Sequence, residues 1–349
     1  MNVIDDAAVG PYERVVHAED RRSGLRAIVA VHSTALGPAV GGTRFHPYHC
    51  EASATIDALR LAEGMTLKAA AAGLRLGGGK AVIMGDPERL RSPALWRAYA
   101  EVVDLFGGGY HTAEDVGTTP ADMAALRAHT PFVLGIPGRG GWDGDPSPFT
   151  ARGVLAAMRA AWEDETGAPS LAGTRVVVEG AGKVGGALAG LLAAEGATVM
   201  VSDIRTERAV ALAARTGGRA LDPAIALAQP CDILAPCAMG GGLSHATVGR
   251  LRCRWVVGSA NNQLSDEGVA GALHDRGIGY VPDFVANAGG LICVSQELEG
   301  ADPGAAGAAV DRVGDVVRDL LAAAHADGGT PLEAAHRRAA SRLAPAGVR

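Results

Sequence analysis

Arg175-Val-Val-Val-Glu-Gly-Ala-Gly-Lys-Val-Gly185 is the stretch that decides the fold of this 349-residue chain. Its first five residues read as a strand, rich in β-branched valine and closed by glycine. Gly180, Gly182 and Gly185 then spell GxGxxG, and an apolar helical run follows over residues 184–194. The pattern alone is weak: with 49 glycines in the chain, about one accidental match is expected. Its place between strand and helix is what gives it weight. The first glycine permits a tight turn, the second lets a pyrophosphate approach the backbone, and the third lets helix and strand pack. The helix N-terminus then faces the phosphates. Residues 180–185, with Ala181, Lys183 and Val184 between the glycines, therefore form a predicted dinucleotide loop. Asp203 closes the next strand, 23 residues beyond Gly180. A carboxylate there suits the ribose hydroxyls and repels a 2′-phosphate, favouring NAD over NADP, with Arg205 close by. The alternative is a glycine-rich turn with Asp203 as a helix cap.

Outward from this unit, strands are expected at 175–179, 197–201, 232–235, 255–258 and 279–281, alternating with helices. That alternation predicts a parallel sheet covered on both faces. Residues 302–344 read as helical and alanine-rich, and 150–162 as a helix. Residues 135–149 are dominated by glycine, proline and aspartate, as in a linker or an active-site loop. Upstream, 13–47 reads as strands, 53–64 as a helix, 80–84 as a strand, 93–105 as a helix, 110–112 as a strand end and 121–128 as a short helix. The expected architecture is α/β: two domains around a cleft. Residues 1–134 make the first, for substrate binding and oligomerisation. Residues 148–325 make the second, a Rossmann-type NAD-binding domain, and helices in 326–349 pack back on the first.

With 32 basic and 38 acidic residues the net charge is −6, which disfavours nucleic acid and anionic membrane as partners. No apolar run is long enough to span a bilayer, and the acidic start is unlike a signal peptide. The five cysteines are scattered without a CxxC, which suggests reduced thiols in a cytoplasmic protein. Neither histidines nor cysteines have metal-ligand spacing, so no metal is expected.

Lysine is the informative residue. There are three, Lys68, Lys80 and Lys183, in a chain that otherwise uses arginine. A buried lysine can lose its proton near neutral pH and arginine cannot, which makes Lys68 and Lys80 candidates for chemistry. The plainer reading is two surface lysines. Leu76-Gly-Gly-Gly-Lys80 is not a phosphate-binding P-loop, because Leu74 and Ala81 stand where glycine and a hydroxyl are needed. The glycines at 77–79 are expected to let a substrate approach the backbone beside Lys80. Asp115, after a short strand, reads equally as a proton carrier or a helix cap. Asn261-Asn262 reads equally as substrate-binding amides or an ordinary turn.

Several stretches taken together resemble the Glu/Leu/Phe/Val dehydrogenase family, in order and over nearly the whole chain. They are Leu36-Gly-Pro-Ala-Val-Gly-Gly-Thr-Arg44, Gly64-Met-Thr-Leu-Lys68, Gly77-Gly-Gly-Lys-Ala-Val-Ile83, Asp115-Val-Gly117, the 180–185 loop, Ala235-Pro-Cys-Ala238, Ala260-Asn-Asn262 and Pro282-Asp-Phe-Val-Ala-Asn-Ala-Gly-Gly290. The nearest branch is that of the valine and leucine enzymes. The resemblance implies NAD-dependent oxidative deamination of an L-amino acid to a 2-oxo acid and ammonia, reversibly, in a homo-oligomer. It implies that Lys68 holds the α-carboxylate, with Gly41, Met65 and Asn262 at the substrate. Lys80 is then the catalytic lysine and Asp115 the proton shuttle. Lys68 is expected to help depress the pKa of Lys80. Thr150, Cys237, Ala238 and Asn261 join the 180–185 loop and Asp203 at the cofactor. Leu76 departs from the proline common in relatives but removes no chemical group.

At the positions implied to face the substrate side chain stand Val40, Ala113, Leu291 and Val294. Val40 and Val294 offer a distal carboxylate no partner, which disfavours glutamate by several kcal/mol or more. A short aliphatic pocket for valine, leucine or isoleucine is the reading these residues support. One methylene is worth only about 1–3 kcal/mol, so overlap among the three is expected. The alternatives are a phenylalanine or non-standard amino-acid dehydrogenase and, in another class, a non-catalytic NAD-binding sensor.

Overall fold

The computed structural model describes residues 1–137 and 143–344. Part of the predicted linker, 138–142, and the end of the predicted C-terminal helical segment, 345–349, lie outside the described residues. The chain divides into two compact units. One comprises Met1–Asp145, Val294–Pro303 and Ala339–Arg349, the other Pro146–Cys293 and Gly304–Arg338.

The first unit begins with strands β1 (Asn2–Val9), β2 (Tyr12–Asp20), β3 (Leu25–Ser33), β4 (Ala39–Val40) and β5 (Thr43–His46). Helix α1 (Glu51–Ala71), strand β6 (Gly77–Met84), helices α2 (Pro87–Leu90) and α3 (Pro93–Asp104), strand β7 (Tyr110–His111) and helix α4 (Pro120–Arg127) follow. The sheet order is β1-β2-β3-β6-β4-β7, with β5 also on β6. β1, β2, β3 and β6 pair antiparallel, while β4 and β5 join β6 in parallel. Helix α3 packs Leu95, Trp96, Tyr99, Val102 and Val103 on one face, against Val16, Val29, Phe45 and Ile83. On the other face α1 presents Ala54, Ala58 and Ala62, spaced by four, to Val15, Ile28 and Val82. Such small side chains let the helix lie close to the sheet.

That closeness sets a demand of its own on residues 77–79. They extend the strand expected at 80–84, and their missing side chains make room for the protein itself. A Cβ on Gly77 would collide with the Ser33 carbonyl and one on Gly78 with the Thr66 backbone, while one on Gly79 would come within 2.7 Å of the Tyr110 ring. The predicted helix of 53–64 also extends, to Glu51–Ala71, so Met65 and Lys68 ride on its last turns.

The second unit opens with α5 (Ser147–Thr166), β8 (Arg175–Glu179), α6 (Lys183–Ala194), β9 (Thr198–Ser202), α7 (Thr206–Thr216) and β10 (Arg219–Leu221). It continues with α8 (Pro223–Ala226), β11 (Ile233–Pro236), α9 (His245–Val248), β12 (Trp255–Val256), α10 (Gly268–His274) and β13 (Gly279–Tyr280). Helices α11 (Asp283–Ala286), α12 (Gly289–Leu298), α13 (Pro303–Asp311), α14 (Val313–Asp327) and α15 (Pro331–Leu343) end the described chain, α12 and α15 each crossing the division between the units. The sheet is wholly parallel, ordered β10-β9-β8-β11-β12-β13. Strand order therefore reverses between β8 and β11. In such sheets ligands bind beyond the carboxyl ends of the strands at that switch point.

Candidate active site

In the first unit, Lys80 lies mid-strand in β6 and is 5% exposed. Its Nζ is 3.1 Å from Oδ1 of Asp115. Asp115 sits in the turn before α4, where its amide donates to Thr118 Oγ1 and the Thr118 hydroxyl bonds back to its carbonyl. The cap of α4 is Thr119, in a reciprocal capping box with Asp122. Asp115 is thus no helix cap, and its carboxylate faces two cations. The second is Arg44 of β5, whose Nε donates to Asp115 Oδ2 at 3.0 Å. Arg44 is in turn held by Asp57 of α1, 2.8 Å from Nη1, and Asp57 also accepts from the Tyr48 hydroxyl and from Arg60.

Burial pushes the Lys80 ammonium below its ordinary pKa; the Asp115 carboxylate opposes this and Arg44 adds to it. Burial works against ionisation of Asp115, but Lys80 and then Arg44 outweigh it and hold the carboxyl below its usual value. The cation that lowers Lys80 most is Arg44 rather than the Lys68 expected from sequence. Arg44, Asp57 and Tyr48 carried no predicted role. The only sequence signal for Arg44 was its place at the end of Gly41-Gly-Thr-Arg44; an aspartate on a helix such as Asp57 looks like any solvated side chain.

Gly41 lies against β6, where a Cβ would collide with the Gly79 carbonyl and stand 3.3 Å from Lys80 Cα. Its own carbonyl accepts from the buried Tyr110 hydroxyl at 2.6 Å. Val40 is buried in register with Gly78 and His111. The Ala113 carbonyl accepts from the Thr43 amide. Met65 and Lys68 are half-buried on α1, flanking Thr66, whose hydroxyl meets His32 Nδ1 at 2.9 Å. Val294, on α12, is half-buried. The first unit thus brings Lys80, Asp115 and Gly41 into one neighbourhood.

In the second unit the 180–185 loop lies at the switch point. Gly180 has φ +106°, which a side chain would strain, and a Cβ there would stand 2.8 Å from the Ala238 amide nitrogen. A Cβ on Gly185 would collide with the Gly180 carbonyl, so this glycine lets α6 start close to β8. Gly182 is exposed, with nothing within 4 Å of a Cβ. Lys183 is exposed and Val184 half-buried in the first turn of α6. Asp203 Oδ2 accepts from the Ala181 amide and Oδ1 from the Arg205 amide, both at 2.8 Å. It ties β9 to the loop instead of capping α7, whose N-cap residue is Arg205. An open, amide-lined helix start with a carboxylate fixed beside it fits a dinucleotide.

Cys237 and Ala238 follow β11 against this loop; burial pushes the Cys237 thiol up, which keeps it neutral. Asn262 is exposed with φ +51°, and its carbonyl accepts from the Gly241 amide. Asn261 Oδ1 accepts at 2.8 Å from Asn287 Nδ2, which also reaches the Ser259 carbonyl. Asn287 was another residue given no role beforehand. Thr150 lies in the first turn of α5, its hydroxyl bonded to the Pro146 carbonyl, and Gly290 of α12 packs beside it. Leu291 is 7% exposed on the same helix. Among the described residues no cluster of His, Cys, Asp or Glu could hold a metal, and no helix is long and apolar enough to cross a membrane.

Residues 12–131 match the model for the Glu/Leu/Phe/Val dehydrogenase dimerisation domain. Residues 201–304 match that for Glutamate/Leucine/Phenylalanine/Valine dehydrogenase. The chain is 44% identical over 332 residues to leucine dehydrogenase of Geobacillus stearothermophilus, covering 95% of this chain and 90% of that one. It is 46% identical over 343 residues to valine dehydrogenase of Streptomyces albus, covering 97% and 94%. The solved structure of L-tryptophan dehydrogenase from Nostoc punctiforme superposes with a TM-score of 0.83 at 37% identity, covering 95% of this chain and 97% of that one.

Proposed function

The chain belongs to the Glu/Leu/Phe/Val dehydrogenase family, and from that membership we infer an NAD-dependent amino-acid dehydrogenase. It interconverts a branched-chain aliphatic L-amino acid with its 2-oxo acid and ammonia. The observation that carries the chemistry is the buried Lys80–Asp115 pair at 3.1 Å. NAD, when bound, accepts the electron pair and hydrogen that leave the substrate Cα. Lys68, half-buried on α1, holds the α-carboxylate. Lys80, its pKa lowered by burial, takes the proton of the water that attacks the oxidised Cα. Asp115 Oδ1 lies within proton-transfer distance of Nζ and passes protons to and from the substrate nitrogen. Asn262 assists at the carboxylate. In the second unit the Lys183, Val184 and Gly185 amides open α6 toward the pyrophosphate, and Asp203 receives the ribose. Thr150, Cys237, Ala238 and Asn261 complete the cofactor's surroundings.

Val40, Ala113, Leu291 and Val294 are apolar, which supports an aliphatic substrate. The similarity to a tryptophan dehydrogenase favours a second reading, a large aromatic side chain. A family whose matching domain is described as a dimerisation domain supports a homo-oligomer, and the scattered cysteines support a cytoplasmic location.

NADH formation with a panel of L-amino acids, including valine, leucine, isoleucine, phenylalanine and tryptophan, separates these readings. Turnover greatest with the branched-chain substrates, and abolished in Lys80→Ala, is the expected result. Preference for tryptophan or phenylalanine selects the aromatic reading. NAD binding without turnover of any amino acid overturns the enzymatic reading.

A further inference from the structure

The Lys80–Asp115 pair does not stand alone. Asp115 has two oxygens, and each has its own cation: Oδ1 meets Lys80 Nζ at 3.1 Å and Oδ2 meets Arg44 Nε at 3.0 Å. Arg44 spans two carboxylates, since Nη1 also meets Asp57 Oδ2 at 2.8 Å. Asp57 is anchored from both sides by the Tyr48 hydroxyl at 2.7 Å and Arg60 at 3.2 Å. Arg44 and Asp57 are both largely shielded, with side chains 23% and 17% exposed. The planar guanidinium fork can bridge two carboxylates at fixed angles, which an ammonium on a flexible stem cannot do.

We propose that Arg44 is the positioning residue of the active site: clamped by Asp57, it holds Asp115 by Oδ2 and so presents Oδ1 to Lys80. The proposal rests on the reading of Lys80 and Asp115 as the proton-handling pair. It makes the chain Tyr48–Asp57–Arg44–Asp115–Lys80 one unit spanning β5, α1, β6 and the turn before α4. Without the clamp the Asp115 carboxylate can rotate and Lys80 loses its aligned acceptor.

Arg44 also acts on the charge of Lys80. The charged groups that act on Lys80 are Asp115 from the turn before α4, Arg44 from β5 and Asp57 from α1, the last held in turn by Arg60. Lys68 lies on the last turn of α1, and His32 on β3, bonded to Thr66. Arg44 disfavours a proton on Lys80 and Asp57 favours one. Removing each therefore has opposite consequences. In Arg44→Met the repelling cation is gone and Asp57 is left uncompensated, so Lys80 holds its proton to higher pH. In Asp57→Asn the favouring anion is gone, so Lys80 releases its proton at lower pH.

The test is the pH dependence of kcat/KM for amino-acid oxidation, whose acidic limb reports the free enzyme's base. Expected for Arg44→Met is a fall in kcat of about tenfold or more, with the limb moved alkaline by roughly half a unit or more. Asp57→Asn moves the limb in the acidic direction. Arg44→Lys restores the limb toward wild type while kcat stays low, because charge returns and the fork does not. A loosened fold would move the variants alike; limbs that coincide with wild type, or that shift in one direction in both Arg44→Met and Asp57→Asn, overturn the proposal. If Arg44→Met does not fold, the Asp57→Asn and Arg44→Lys profiles decide it. Wild-type enzyme inactive on every amino acid would instead remove the underlying reading of the pair.

Discussion

A lysine buried to 5% exposure is an expensive residue, and the chain retains one at position 80. Its pKa falls on folding, chiefly through burial. For a base lowered in this way the stability cost is complete below the folded value and fades as pH rises toward the unfolded one. Asp115 keeps Arg44 as a partner if Lys80 is removed. Lys80→Met is therefore expected to lose about 10²–10⁴-fold in kcat while its melting temperature near neutral pH does not fall. Any gain over wild type shrinks as the buffer approaches the ordinary pKa of lysine. Thermal melts across pH, run beside the activity assay, check this; a lower melting temperature at neutral pH would show that pairing outweighs desolvation. Lys80 was legible in sequence because lysine is so rare here. Arg44 was not, since one arginine among 29 gives no such contrast.

Glycines separate two jobs at the level of elements. Gly78 in β6 lies under α1, and a Cβ there would meet the Thr66 backbone and the Ala62 carbonyl. Helix backbone cannot move locally, so Gly78→Ala is expected to cost about 1–3 kcal/mol, read as a lower melting temperature. It also shifts α1, which carries Asp57 and Lys68, so activity falls with it. Gly182 at the start of α6 has nothing within 4 Å of a Cβ. Gly182→Ala is expected to leave the melting temperature unchanged and to weaken NAD binding about tenfold or more, worth ~1.4 kcal/mol, as measured by titration. Equal NAD affinity in Gly182→Ala would remove this glycine from the phosphate site. The strand–loop–helix element was legible because its demands are local. The packing demand on the glycines of β6 was not read, because it comes from α1 and Tyr110, outside the strand itself.

Over the whole molecule, a ligand that binds only the folded state raises stability by about 2.7 kcal/mol at a hundred times its Kd. NAD is therefore expected to raise the melting temperature of the protein, and NADP to do so far less. The Asp203 carboxylate is fixed by the Ala181 and Arg205 amides; in the ribose-binding role we propose for it, its negative charge repels a 2′-phosphate. Equal shifts with both cofactors would show that Arg205 outweighs Asp203. The parallel sheet was foreseen from alternating strands and helices, but not its edge strand β10, nor β1 in the sheet of the first unit. β1 has an acidic, alanine-containing sequence with little strand character, and β10 is only three residues long. The return of Val294–Pro303 to the first unit has no local marker; Glu297 anchors it there by accepting from the Gly135 amide at 2.7 Å.

What the amino-acid sequence determined by itself was whatever short-range chemistry demands. The GxGxxG turn, the carboxylate one strand later, the alternation that makes a parallel sheet, and the two conspicuous lysines all follow from neighbours within a few tens of residues. Only the tertiary structure decided what faces Lys80. Asp115 meets it from a turn 35 residues away in the chain, and Arg44 from a different strand and Asp57 from a helix act on it electrostatically, joined to it through Asp115. Side-chain electrostatics depends on distance in space, and a polypeptide fixes that distance only after its sheets and helices have packed.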